Sequence, residues 1–181
     1  MNSPPSWNVL VTSQEGFERE LRRFIKRHGT FRKSGFRNLL LGEVPDVLVF
    51  LDTFATELDV KPFARPWIGR VLPIHVQYPV ELETFCPDTE SHLSALSPQI
   101  AGRSFHVRVE RRGHKGVMNT RDLELRFGEF LWSLLNKDGR SPVISFADPE
   151  VVVAIEVVGA VAGIALVERA LRHQYTFVKI D

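Results

Sequence analysis

One cysteine, Cys86, stands alone in 181 residues, so no internal disulfide is available and a structural zinc site lacks its thiolates. The six histidines show no paired ligand spacing. There is no Walker loop, no GxGxxG after a strand, no GxSxG elbow and no HExxH pair. Charge of one sign is not in excess either: 23 Lys and Arg against 22 Asp and Glu leave +1, which selects no partner by itself. The opening MNSPPSWNVL has neither the basic nor the apolar region of a secretory leader, and with the lone thiol this reads as a cytoplasmic protein. The longest apolar run, VVVAIEVVGAVAGIALV at 151–167, is short for a membrane span, holds Glu156 and is rich in β-branched residues around Gly159. It predicts two buried strands joined by a tight turn, and no membrane partner.

What is present is alternation. WNVLVT reads as a strand, followed by a helix over 14–28 with Phe17, Leu21, Phe24 and Ile25 on its apolar face and Gly29 as its stop. FRNLLLGEV reads as a second strand; Pro45 opens a helix to Leu58 with Val47, Leu48, Leu51, Phe54 and Leu58 facing inward. KPFARPWIG breaks the pattern, and RVLPIHVQY resumes it as an edge or bulged strand because of Pro73. The second half alternates in the same way, with a helix within 89–100, the alternating strand SFHVRVE, a helix N-capped by Asn119, and strands PVISF, VVVAIEVV and VAGIALV. The fold class is α+β.

Charge is uneven in its placement. Basic residues crowd two windows, Arg19–Arg37 and Arg103–Arg126. In the first, Glu15, Glu18 and Glu20 stand at helical spacing to pair with Arg19, Arg22 and Arg23. In the second, SFHVRVERRGHKG at 104–116 runs a strand into Arg111, Arg112, His114 and Lys115, with two glycines and a helix start behind them. Helix N-termini and close backbone approach favour anions, yet a charged tip is also well solvated, and the residues alone leave both readings open. Catalytic candidates are weak: Cys86 with His92 lacks an orienting third group, and Asp148 and Glu156 read as turn and strand residues. No cofactor is expected.

Those same blocks carry a resemblance. SFHVRVERRGHKG, then LELRFGEFLW, then ISFADPEVVVAIEVVGAVAGIAL are similar, in order and spacing, to the THUMP domain, an RNA-binding module of 4-thiouridine synthetases, some RNA methyltransferases, certain pseudouridine synthases and the adaptor of tRNA cytidine acetylation. GFERELRRFIKR and FRNLLLGEV resemble the ferredoxin-like domain that precedes it, and RVLPIHVQYPVELETF the passage joining the two. The resemblance implies a ferredoxin-like domain at 1–79 and a THUMP domain at 80–181, an α/β unit with a mixed sheet. It implies binding of tRNA or other structured RNA at its acceptor region, through Arg70, Arg108, Arg111, Arg112, His114 and Lys115, with Glu156 structural. Phe63 and Trp67 are candidates for stacking on bases or for packing. Because the sequence stops at Asp181 after YTFVKID, the expectation is a free-standing, non-catalytic protein that presents RNA to a catalytic RNA-modification protein. The alternative is a protein-interaction adaptor with little RNA affinity, docking through its apolar strands and the acidic 81–90 segment.

Overall fold

The computed structural model describes residues 6–137, 139 and 141–180, whose packing divides the chain into two units. The first comprises residues up to Gln77 and, again, from Leu171 onward; the second spans Tyr78–Ala170. The tail expected with the THUMP segment therefore packs with the first unit.

In the first unit, β1 (Val9–Ser13), α1 (Glu18–Ile25), β2 (Thr30–Lys33), β3 (Leu39–Glu43), α2 (Val47–Val60), a 3-10 helix (Pro62–Trp67) and β4 (Ile68–Pro73) follow one another. The strands form one antiparallel sheet in the order β2-β3-β1-β4, the ferredoxin-like arrangement of a β-α-β-β-α-β chain. Helix α1 is shorter than its periodicity predicts, because Gly16 turns the chain at φ +86° before it and Arg27 and His28 are drawn to Glu57 after it. Asp46 caps α2 by accepting from the Val49 N–H at 2.9 Å. That start sets the phase: Phe50, Leu51, Phe54 and Leu58 are buried, while Leu48, expected inside, is exposed. Strand β2, half exposed and without alternation, carries no sequence signal of its own.

The second unit holds a five-stranded sheet. Its elements are β5 (Val76–Pro79), α3 (Phe85–Leu96), β6 (Ser104–Arg112), α4 (Thr120–Lys137), β7 (Val143–Ile144), β8 (Val151–Val158) and β9 (Val161–Glu168), after which α5 (Arg169–Gln174) leads into the tail. The strand order is β5-β9-β8-β6-β7, with β6 parallel to β7 and β8, and β8 antiparallel to β9. The apolar run at 151–167 is thus a hairpin, its turn made possible by Gly159 at φ +60°. Among the described residues no helix is long and apolar enough to cross a membrane. Phe105, Val107 and Val109 of β6 are buried together with Phe127, Leu131 and Leu135 of α4. Of PVISF only two residues pair, because Ser145 and Phe146 curve away after Ser145 N–H donates to the Phe105 carbonyl.

Candidate nucleic-acid interface

Strand β6 ends at Arg112 and the chain turns within seven residues into α4. Gly113, His114 and Gly116 all take positive φ, at +98°, +52° and +81°, so the turn is tight and only partly glycine-made. Two hydrogen bonds pin it to the β8–β9 turn: Gly159 N–H donates to the Arg112 carbonyl at 2.8 Å, and His114 Nε2–H donates to the Gly159 carbonyl at 2.7 Å. Met118 is buried and anchors the far end. Asn119 Oδ1 then accepts from the Arg121 N–H at 3.1 Å, capping α4 as its sequence position predicts.

This geometry sorts the cations. Arg112 lies between two carboxylates, Nη2 to Glu110 at 3.3 Å and Nη1 to the buried Glu156 at 3.2 Å. Arg111 turns back so that Nη1 donates to the Gly113 carbonyl at 3.0 Å. Both are half-buried and hold the loop's shape. Arg108 and Lys115 are exposed. Arg108 stands 3.6 Å from Glu124, a carboxylate that also accepts the Val109 N–H at 2.9 Å, and no ion pair among the described residues involves Lys115. Arg121, in the first turn of α4, is exposed beside them. Arg70 lies on β4 of the first unit and is 1% exposed, so the linking arginine is an interior residue.

Two hollows run along the outer edge of β6. One, of about 440 Å³, is lined by Arg108, Glu110, Arg111, Thr120 and Glu124. The other, of similar volume, is lined by His106, Arg108, Arg121, Leu125, Ile144 and Phe146 among others. Phe146 is 78% exposed, its ring 5.7 Å from that of His106, whose Nδ1 lies 3.1 Å from the Ser145 carbonyl. Glu124, Arg121 and Phe146 were not singled out in the sequence. Arg121 had a signal, its position two residues behind an N-cap, whereas Glu124 and Phe146 join the site only through the fold. The arrangement offers exposed cations, a helix N-terminus and an aromatic ring along one strand edge, a combination suited to phosphate and base contact.

No protein-family model matches the sequence, and no curated protein matches it. Solved structures do. TrmN from Thermus thermophilus superposes with a TM-score of 0.64 at 17% identity, over 89% of this chain and 45% of its own. PH1313 from Pyrococcus horikoshii gives 0.61 at 11%, over 89% and 54%. The fold is THUMP-like. A 4-thiouridine synthetase in complex with RNA and ATP gives 0.53 at 16%, over 89% of this chain and 41% of the synthetase. The chain thus spans from about two fifths to just over half the length of the proteins it matches.

These likenesses correct one expectation. The non-catalytic reading rested on missing catalytic motifs and a missing further domain, but proteins that share this THUMP-like fold include the synthetase and others described as putative methyltransferases or methylases. Only about half or less of each is matched, so the lack of such motifs within the shared fold does not separate catalysts from non-catalysts.

Proposed function

We propose that this chain binds structured RNA, with the acceptor region of tRNA as its target, and serves a nucleotide-modifying reaction. The observation that carries the reading is the strand edge of the THUMP-like unit, where exposed Arg108, Lys115 and Arg121 adjoin the N-terminus of α4. Arg108 and Lys115 contact phosphates; Arg111, Arg112 and His114 hold the loop that presents them. The RNA complex of the 4-thiouridine synthetase supports RNA as the ligand of this fold, and the sequence blocks at 104–116 and 144–166 support tRNA. The protein partner of this reading is a catalytic RNA-modification protein that acts on the bound RNA.

The test is the affinity for an unmodified tRNA transcript across a salt series. Each phosphate contact contributes about 0.9 to the slope of log affinity against log salt. Arg108→Ala with Lys115→Ala is expected to flatten that slope by roughly two such contributions. Unchanged affinity and slope in the double variant would remove this edge from the interface.

A further inference from the structure

The hollow beside β7 adjoins a stretch of strand with nothing opposite it. Gly159 N–H donates to the Arg112 carbonyl on the β8 side and Ser145 N–H to the Phe105 carbonyl on the β7 side, so by alternation Phe105, Val107 and Val109 turn their backbone groups outward. Strand β7 covers only Ser104 and Phe105. The Ser145 carbonyl, which a longer β7 would offer to Val107 N–H, lies 3.1 Å from His106 Nδ1 instead. Glu124 takes the Val109 N–H at 2.9 Å. Among the described residues no strand pairs with Val107 on its outer side.

A glycine makes the room. Gly128 is buried within α4, where glycine is the poorest helix former after proline, and a Cβ added to it would meet nothing within 4 Å. The space it leaves is walled by Leu125, Ile144 and the exposed Phe146. Charges of both signs stand at the rim: Arg121 and Glu129 are exposed and just over two helical turns apart, roughly 12 Å along α4. A free backbone donor and acceptor beside an apolar hollow meet the two needs of an added strand, main-chain bonds for affinity and a seat for one side chain. An RNA backbone, negative along its whole length, would run against Glu124 and Glu129 here.

We propose that this hollow is the docking site of a protein partner, which lays an extended segment beside Val107 and seats one large apolar side chain over Gly128. Alternate residues of such a segment share a face and span roughly 13 Å from i to i+4. An acidic residue two places from the apolar one therefore meets Arg121, and a basic residue two places to its other side meets Glu129. The inference rests on the reading above only in taking this partner to be the catalytic protein of that reading, and it leaves phosphates to Arg108 and Lys115.

The experiment follows the protein's amide spectrum while a synthetic peptide is added in which threonines alternate with Lys, Phe and Glu, in that order. The same peptide with Lys and Glu exchanged covers the opposite strand direction, and versions with Ser for Phe serve as controls. One charge order is expected to shift the Val107 amide and slow its hydrogen exchange, with the Ser version at least about tenfold weaker. Gly128→Leu, which fills the hollow and relieves the helix of glycine, is expected to raise the melting temperature and to weaken the Phe peptide to a similar degree. Phe146→Ala, an exposed change, carries the same expectation for the peptide. No shift of Val107 with either order at millimolar peptide, or binding indifferent to these variants, would overturn the inference. A labelled tRNA transcript keeps the two readings apart. Wild-type tRNA affinity is expected in Gly128→Leu; its loss there would make RNA the occupant and overturn the inference. Peptide binding as described, with no tRNA bound by the wild type, would support this site and overturn the proposed function. No peptide binding, with tRNA lost only in Arg108→Ala/Lys115→Ala, would do the reverse.

Discussion

On β6 and β8, Glu110 and Glu156 stand directly opposite in register, and two carboxylates so placed repel unless a cation lies between them. Arg112 is that cation, bonded to both. The alternation of SFHVRVE was readable in the sequence, as was the basic character of the stretch that follows, although Arg112 was expected in the loop and instead ends β6. Its pairing was not, because Glu156 is 44 residues away and only the strand register brings it alongside. The same holds for Arg70, whose charge is visible in the sequence while its burial is a property of the packed chain. Glu156→Gln should cost about 1.5–3 kcal/mol, the range for a hydrogen bond to a charged group, since Arg112 keeps Glu110 and some access to solvent. Urea denaturation would measure it; a cost within error of zero would show that Arg112 does not depend on Glu156.

At the scale of elements, the stretch that follows α1 is joined to α2 through one acid. Glu57 of α2 accepts from Lys61 Nζ at 2.8 Å, contacts His28 Nε2 at 2.8 Å and pairs with Arg27 at 3.0 Å. Burial pushes its carboxyl up, but the hydrogen bonds from Lys61 and His28 and the charge of Arg27 prevail and hold it below its ordinary 4.5. A carboxyl depressed in the folded state binds its proton more readily in the unfolded one, so its stabilisation is complete above pH 4.5 and fades as pH falls through the lowered value. Wild type should therefore lose stability below pH 4.5 more steeply than Glu57→Gln, as thermal melts at pH 3 to 7 would show; parallel profiles would contradict it. The helices that carry this contact were legible from apolar spacing, because buried stripes such as Phe50, Phe54 and Leu58 recur with the helical period. The short pieces were not. Strand β2 and the two residues of β7 exist because a neighbour offers an edge, the next strand in the chain for β2 and the sequence-distant β6 for β7.

At the scale of the whole molecule, the first unit is discontinuous: the second unit lies, in sequence, between β4 and the residues that return to it. Phe177 packs its ring on Phe54 at 5.1 Å, and its carbonyl accepts the Val71 N–H at 2.8 Å, covering part of the open edge of β4. Tyr175 donates its hydroxyl to Asp52; burial and the adjacent carboxylate push that phenol up to about 12, so it stays neutral and keeps donating. YTFVKID gave no hint of this, since its apolar residues would suit either unit equally well. Phe177→Ala should destabilise the first unit by about 3–5 kcal/mol, read from hydrogen exchange of β1 and β4 amides, with the β8–β9 hairpin unaffected. Equal loss of protection in both sheets would mean that the two units unfold as one.

The returning tail also sets an order of events on the ribosome. Every strand of the first sheet has emerged long before Tyr175 and Phe177 are made, whereas β5 to β9 are complete before the tail appears. A nascent chain therefore carries a sheet with its β4 edge uncovered through the entire synthesis of the second unit, so of the two units the one begun earlier is completed later.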